Sequence, residues 1–338
     1  MPWTIDILSL DGSSTERLAA PFRSARVTWA ADGTGALEID LRQTDVAAGD
    51  WLWGRRRLLV KDSNEVARYQ GWLDRLERGG SPGTVRFRAA SRGLAAILDQ
   101  RVVHGDFSEV DAAATDIAVA LLGHIAAQTD DATGFTEGTI TGEAPDLTRH
   151  FCDGDVISTA LDDLATYFAW EIDAAGKFNA WVGGRGTDLS DTITLSPTAA
   201  IDWSCIGDVT EMATYCTGIG DYHGSQPCGP PLVVDFTPER VDYGRREVVI
   251  TDDAEDEFTL EDKTAEELRA RVASRIHLST SWVEGHGPWA FGDVWIGDVV
   301  NAELGDEFGG DHDVRLINIT ASLEPGKHEF IEYEWEAA

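Results

Sequence analysis

Lysine is nearly missing from this chain. Only Lys61, Lys177, Lys263 and Lys327 occur, and arginine fills the other basic positions. Acidic side chains outnumber basic ones 60 to 27, for a net charge of −33. Such a surface repels DNA phosphates, which argues against nucleic-acid binding on the outer face. Self-repulsion of this size weakens folding at low salt, and at molar salt the Debye length drops to about 3 Å and the penalty fades. An Asp-rich, Lys-poor surface therefore points to a salt-rich host, a haloarchaeon; the alternative is a GC-rich genome whose codons favour Arg and Asp. Cysteine is scarce as well. Cys152, Cys205, Cys216 and Cys228 form no C-x-x-C pair, which argues against a structural zinc site. Cys216 and Cys228 bracket TGIGDYHGSQP and read as two free, mostly buried thiols; a disulfide closing that loop is the alternative.

Long apolar runs are lacking. IAVALLGHIAA (117–127) is too short to span a bilayer and contains His124. The start, MPWTID, has neither the basic region nor the apolar core of a signal peptide, so a soluble protein without a membrane segment is expected. Catalytic signatures are missing too: there is no G-x-S-x-G elbow, no P-loop and no G-x-G-x-x-G after a strand. HEFIE (328–332) opens like a zinc-protease motif but lacks the second His and falls on strand-like sequence. DDAEDE (252–257) lacks the spacing of a calcium loop and reads as a solvated acidic face. His223, His286 and His312 lie in Gly-rich loops, where surface positions explain them. Trp51, Trp53, Trp282, Trp289 and Trp295 are the one set that could form a sugar platform, against the commoner use of Trp in cores and interfaces. No catalytic, cofactor-binding or metal-binding residue is assigned, and nothing argues for an enzyme.

What is present is alternation. In WTIDILSL, Trp3, Ile5 and Ile7 share a face; in ARVTWAADGTGALEIDL, Val27 and Trp29 answer Leu37, Ile39 and Leu41 across a Gly-rich turn. Three more strands follow, separated by KDSNE and GGSPG, and then a short helix from Ser91 carrying Leu94, Ile97 and Leu98. The middle is helical. Ile117, Leu121 and Ile125 recur at helical spacing beside Ala114 and Ala118, as do Ile157, Leu161, Leu164 and Phe168. Residues 129–146 between them are Gly/Thr-rich and read as an exposed loop. A hairpin turning at Ala175-Gly176 pairs Trp170 and Ile172 with Phe178 and Trp181. Strands return from about residue 193, interrupted by a helix over about 264–278 with a capping box, Thr264 and Glu267, and an apolar stripe of Leu268, Val272 and Ile276. Val300, Ala302 and Leu304, then Ile317, Ile319, Ala321 and Leu323, then Ile331, Tyr333 and Trp335 alternate with polar residues around the turn Glu324-Pro325-Gly326-Lys327.

Three segments carry a resemblance. YQGWLDRLERGGSPGTVRFRAASRGLAAILDQRVV (69–103) is similar to the N-terminal barrel of tail hub (baseplate hub) proteins of long-tailed, siphovirus-like viruses: Gly71-Trp72 on a strand, a charged hairpin, then a short helix ending Leu98-Asp99-Gln100-Arg101-Val102. ISTALDDLATYFAWEIDAAGKFNAWV (157–182) looks like that family's helix-then-hairpin unit, and Ile296-Gly297-Asp298-Val299 resembles the turn into its last barrel strands. Residues 205–245 carry no such likeness. The resemblance implies an α+β, mainly β fold: a first tail-tube-like β-barrel over 1–104, an α-rich section with a short hairpin over 105–192, and a second barrel over 193–338 with the inserted helix. It further implies a homotrimer whose six barrels mimic the six-fold tube while presenting three-fold symmetry to the tip. Expected partners are distal tail or tube proteins above, tip or fibre proteins below and a tape measure protein, with the chain in the virion tail tip and forming part of a DNA channel. Rival readings are a hexameric distal tail ring protein, a carbohydrate-binding adhesin using the Trp-rich loops, and a tail-associated hydrolase.

Overall fold

The computed structural model describes residues 3–9, 15–17, 22–31, 35–42, 56–81, 84–127, 135–208, 212–220, 232–234, 245–252, 260, 263–265, 267–268, 271, 275–305, 308, 310–325 and 327–338. Seven strands open the chain: β1 (Thr4–Ser9), β2 (Thr15–Arg17), β3 (Ser24–Ala30), β4 (Ala36–Arg42), β5 (Arg56–Lys61), β6 (Ala67–Ser81) and β7 (Thr84–Gly93). The central section holds β8 (Phe107–Ala113), α1 (Ala114–Ala126), β9 (Thr136–Thr141), β10 (Asp146–Phe151), α2 (Ile157–Leu164), β11 (Ala169–Ile172) and β12 (Lys177–Trp181). The remainder comprises β13 (Thr194–Leu195), β14 (Asp202–Asp208), β15 (Tyr215–Gly220), β16 (Leu232–Val234), β17 (Glu247–Asp252), β18 (Arg275–Val283), β19 (Val299–Glu303), β20 (Asp311–Leu323) and β21 (Phe330–Ala337).

The protein is mainly β, as its alternation predicts; among the described residues no closed barrel is found. Among the described residues, one 13-stranded sheet runs β14-β18-β21-β20-β3-β4-β7-β6-β5-β1-β2, with β19 on β20 and β13 on β19. It joins the two ends of the chain through β20. The first part of that strand pairs with β19, from Val299↔Arg315 to Glu303↔Asp311; its second part pairs with β3, from Asn318↔Ala30 to Leu323↔Ala25. A register shift on β20 between Leu316 and Asn318 lies between the two pairings. That irregularity also corrects the expected face: Leu316 and Ile319 are buried and Ile317 is half-exposed, because a bulge resets the period-two phase. Trp3, Ile5, Ile7, Val27, Leu37, Ile39, Val300, Ala302, Ile331, Tyr333 and Trp335 share one buried cluster, so both ends of the chain build a common core.

A second core belongs to the central section. Ile117, Leu121 and Ile125 of α1 and Ile157, Leu161 and Leu164 of α2 are buried against one another, with Phe168 and Phe178 and with Trp72, Leu94 and Leu98 from the first segment. The hairpin β11–β12 pairs Ile172 with Phe178 as expected, but Trp170 stands opposite Ala180 and Trp181 opposite Ala169, which puts Trp181 on the other face. The stretch expected as a loop at 129–146 instead contains β9, which adds to β12 in parallel, and β10 begins at its end and pairs with β8.

Neither Ser91 nor Thr264 caps a helix. Ser91 lies in β7, buried, with its hydroxyl 2.7 Å from that of Tyr69; the following 3-10 turn, Leu94–Gln100, starts from Gly93. Thr264 is a helical residue whose hydroxyl donates to the Leu260 carbonyl at 2.6 Å, four residues back, and Glu267 pairs with Arg271 rather than closing a capping box. The helix does not reach residue 278: Ile276 is in β18, and Val272 lies outside the described residues.

Candidate assembly surfaces

The residues singled out as chemical candidates do not converge. Trp282 is buried, and Trp289 packs edge-on against Tyr333 and Trp335 with ring centroids 5.9 and 6.0 Å away. Trp295 packs against Trp29 and Phe291 at 5.6 and 5.7 Å. Trp282 is part of the core, and the half-buried Trp289 and Trp295 are packed against it. Trp51, Trp53, His223, Cys228 and residues 253–257 lie outside the described residues. The exposed His286 stacks edge-on against His328, and the ring of His312 meets the Phe308 carbonyl at 2.5 Å. Among the described residues no group of three or more His, Cys, Asp or Glu side chains could hold a metal ion. Cys216 is a buried free thiol; burial pushes its pKa up and leaves it a poor nucleophile. Cys152 is an exposed thiol. No described helix is long and apolar enough to cross a membrane.

What the residues do build is a set of junctions that fix the surfaces of the body. The first is aromatic. Trp3 and Trp29 from the N-terminal strands pack against Phe291, 4.9 and 5.7 Å between centroids, and Arg68 lies over Phe291 and Trp295 while pairing with Asp62 at 2.6 Å. The Trp29 indole N–H donates to the Arg68 carbonyl, and that of Trp3 to Glu284 at 2.8 Å. Glu284 has its pKa raised, first by burial and then by the charges of Glu329 and Asp62, while the hydrogen bonds from Trp3 and Ser63 pull it back. Burial likewise pushes Tyr333 up to about 12.

The second junction explains a motif. In Ile296-Gly297-Asp298-Val299, the buried Asp298 carboxylate accepts the backbone N–H groups of Thr187 and Trp295, both at 2.7 Å. Gly297 has φ +94°, and a Cβ there would stand 2.5 Å from the Arg185 carbonyl oxygen, so only glycine fits. Beside it Arg185, mostly buried, pairs with Glu171 of β11 and lies over Trp181 at 5.0 Å. Burial lowers the Arg185 pKa and raises that of Glu171, and the attraction between them opposes both shifts. The motif is thus a clasp that holds the end of the central section on the last strands. The N-terminal motif has a similar cause: a Cβ at Gly71 would lie 2.3 Å from the Arg92 carbonyl oxygen of the adjacent β7.

Two surface features stand out. Ile201, Trp203 and Ile206, 62, 40 and 59% exposed, gather on and beside β14, the end strand of the large sheet. A hollow of about 550 Å³ opens on the polar side of β3, β4, β6 and β7, lined by Arg26, Glu38, Asp40, Arg75, Glu77 and Arg88 among others. Sequence reasoning passed over both, although the charge imbalance behind the second is countable. Residues 1–104 hold 15 Lys and Arg against 13 Asp and Glu; residues 105–192 hold 3 against 17, and residues 193–338 hold 9 against 30.

This architecture, one sheet uniting both chain ends around a local helical unit, is the fold of phage tail proteins. The 43 kDa tail protein of prophage MuSo2 from Shewanella oneidensis aligns over 98% of this chain and 97% of its own, at TM-score 0.71 and 12% identity. A tail protein from Neisseria meningitidis aligns over 99% and 97%, at TM-score 0.69 and 14% identity. An E. coli component of the type VI secretion system, described as structurally similar to the T4 tail proteins gp27 and gp5, aligns over 94% of this chain and 74% of its own, at TM-score 0.53 and 9% identity. No protein-family model and no curated protein matches the chain.

Proposed function

We propose that the chain is a structural tail protein of a virus or virus-derived particle and that it serves as the tail hub. The observation that carries this reading is the end-to-end correspondence with a prophage tail protein, 98% of one chain on 97% of the other. Likeness to a secretion-system component itself similar to gp27 and gp5 favours the hub over other tail positions. In this reading the segments 1–104 and 193–338 act as two tube-like modules and 105–192 as the helical section between them. Three copies close into a ring at the tail tip, joining the six-fold tube or distal ring to a three-fold tip, with a tape measure protein and the DNA passing through. The role is non-enzymatic: the structural neighbours are tail proteins and a secretion-system component, and the junctions above are made of packing and hydrogen bonds.

The net charge of −33 supports a channel wall that repels DNA, and a host rich in salt. Light-scattering molar mass of the purified protein, at about 3 M and 0.1 M salt, tests these together, because screening lengths of about 2 and 10 Å bracket the self-repulsion. A trimer held at high salt and weakened at low salt is the expected result. A hexamer replaces the hub by a distal ring protein, and indifference to salt removes the halophilic host.

A further inference from the structure

Histidine is scarce in this chain, eight residues in 338, so two imidazoles in contact are not a by-product of composition. Other described histidines are engaged with backbone: His124 meets the His104 carbonyl at 3.0 Å, and His312 meets that of Phe308. His286 and His328 differ. Their rings stand 5.9 Å apart between centroids, at 89° to each other, and both side chains are exposed. Among the described residues neither ring makes a hydrogen bond or an ion pair.

Strand pairing brings them together across 42 positions of sequence. The ladder between β18 and β21 runs to Val283↔Phe330, and one step further the Glu284 N–H donates to the Glu329 carbonyl at 2.9 Å. The two connections are therefore still side by side where each reaches its histidine. On one side the chain turns back at once: Gly285 has φ +78°, and the His286 N–H donates to the Val283 carbonyl at 3.0 Å. On the other, His328 follows a turn in which the Lys327 N–H donates to the Glu324 carbonyl at 3.0 Å. The Glu284 carboxylate accepts the Trp3 indole N–H and the Ser63 hydroxyl, so the histidines rise from anchored backbone.

We propose that His286 and His328 together bind one divalent transition-metal ion, of the class of Zn2+, Ni2+ and Cu2+. Imidazole nitrogen suits these ions, whereas Mg2+ and Ca2+ take oxygen. With each nitrogen about 2 Å from the metal, the ring centroids of two histidines on one tetrahedral ion stand roughly 5–6 Å apart. The observed 5.9 Å meets that spacing. Because the rings are perpendicular, one of them must turn to aim a nitrogen of each at a common point, and an exposed side chain has that freedom. No third His, Cys, Asp or Glu side chain completes the set among the described residues, so water fills the remaining positions. The strongly acidic chain favours a cation at its surface. The bound ion staples the connection after β18 to the one before β21, beside the aromatic junction. This site does not depend on the tail reading.

The test titrates the untagged full-length protein with Cu2+ by calorimetry, in excess Ca2+ to occupy surface carboxylates but not imidazoles. Cys152→Ser is carried throughout, so that the exposed thiol does not compete. One tight equivalent is expected, and its electron paramagnetic resonance spectrum should show two coordinating imidazole nitrogens. His286→Gln and His328→Gln should each weaken binding by at least the roughly 10–100-fold that losing a supporting group costs at a metal site. Zn2+ should raise the melting temperature of the parent and leave that of the double variant unchanged, because only the folded chain brings the two connections together. Hydrogen exchange should slow at 284–290 and 327–330 when the ion binds. A double variant that binds Cu2+ like the parent, or a spectrum with oxygen or a single imidazole as ligand, means an adventitious ion only and overturns the site. Full affinity in either single variant, or no binding by the parent, overturns it equally.

Discussion

The two cores of this protein are assembled in opposite ways. The helical core draws α1, α2 and the β11–β12 hairpin from within about a quarter of the chain, and its main outside contribution comes from the Trp72 and Leu94–Leu98 region. The β core draws on Trp3 at one end and Trp335 at the other, and no part of it is complete without both. A unit whose contacts are local can form early and on its own terms; a sheet joined through β20 to β3 must wait for loop closure across almost the whole chain.

The strongest way to break the β side is at Trp335, fully buried and donating to the Thr280 hydroxyl at 3.1 Å. Trp335→Ala should cost about 4 kcal/mol and lower the stability of both chain ends together, whereas Leu121→Ala in α1 should cost about 3 kcal/mol. Denaturant titration followed by hydrogen exchange separates the two: protection should fall throughout the large sheet in the first case and over 107–182 in the second.

The clasp comes next, because it couples the regions. Asp298→Ala strips the acceptor from two backbone N–H groups and should cost about 3 kcal/mol. Calorimetry should then show one unfolding transition for the parent protein and two for the variant; a single transition shifted downward would mean the regions are coupled mainly through their packing. Arg185→Ala leaves Glu171 without its partner in a mostly buried site, a loss of about 2 kcal/mol. Part of that loss should be recovered by adding Glu171→Gln, which a double-mutant cycle measures directly.

The smallest effect has the opposite sign. Burial raises the Glu284 pKa in the fold, so its contribution favours the folded state below the ordinary carboxylate range and is lost as pH rises through the raised value. Glu284→Gln keeps an oxygen to accept the Trp3 indole N–H, so it should raise the melting temperature slightly at neutral pH. That advantage should disappear as pH falls to about 4, near the unperturbed Glu value. A melting curve at each pH suffices, and a loss at neutral pH would show that the charged form anchors the aromatic junction.

Much of this architecture was legible without coordinates. The strands around Ile5, Val27 and Ile39, the two helical stripes and the hairpin at Gly176 all follow from periods of two and 3.6, because local sterics and one-sided burial write those periods directly into the sequence. The caps at Ser91 and Thr264 misled because a hydroxyl can satisfy a turn, a cross-strand neighbour or its own helix equally well, and burial decides among them. The loop expected at 129–146 hid β9 because a short edge strand with Thr and Gly shows little alternation. The exposed Trp203 and Ile206 could not be told from core residues, since side chains of the same kind serve both.

Composition and alternation determined that the protein is acidic, mainly β and centred on a local helical unit, since these depend on residues close in sequence or on simple sums. The tertiary structure alone decided that the two ends share one sheet and one core and that Gly297 and Asp298 form a clasp. Strand pairing is a choice among partners far apart in the chain, and backbone hydrogen bonds, identical at every residue, leave no mark of that choice in the sequence.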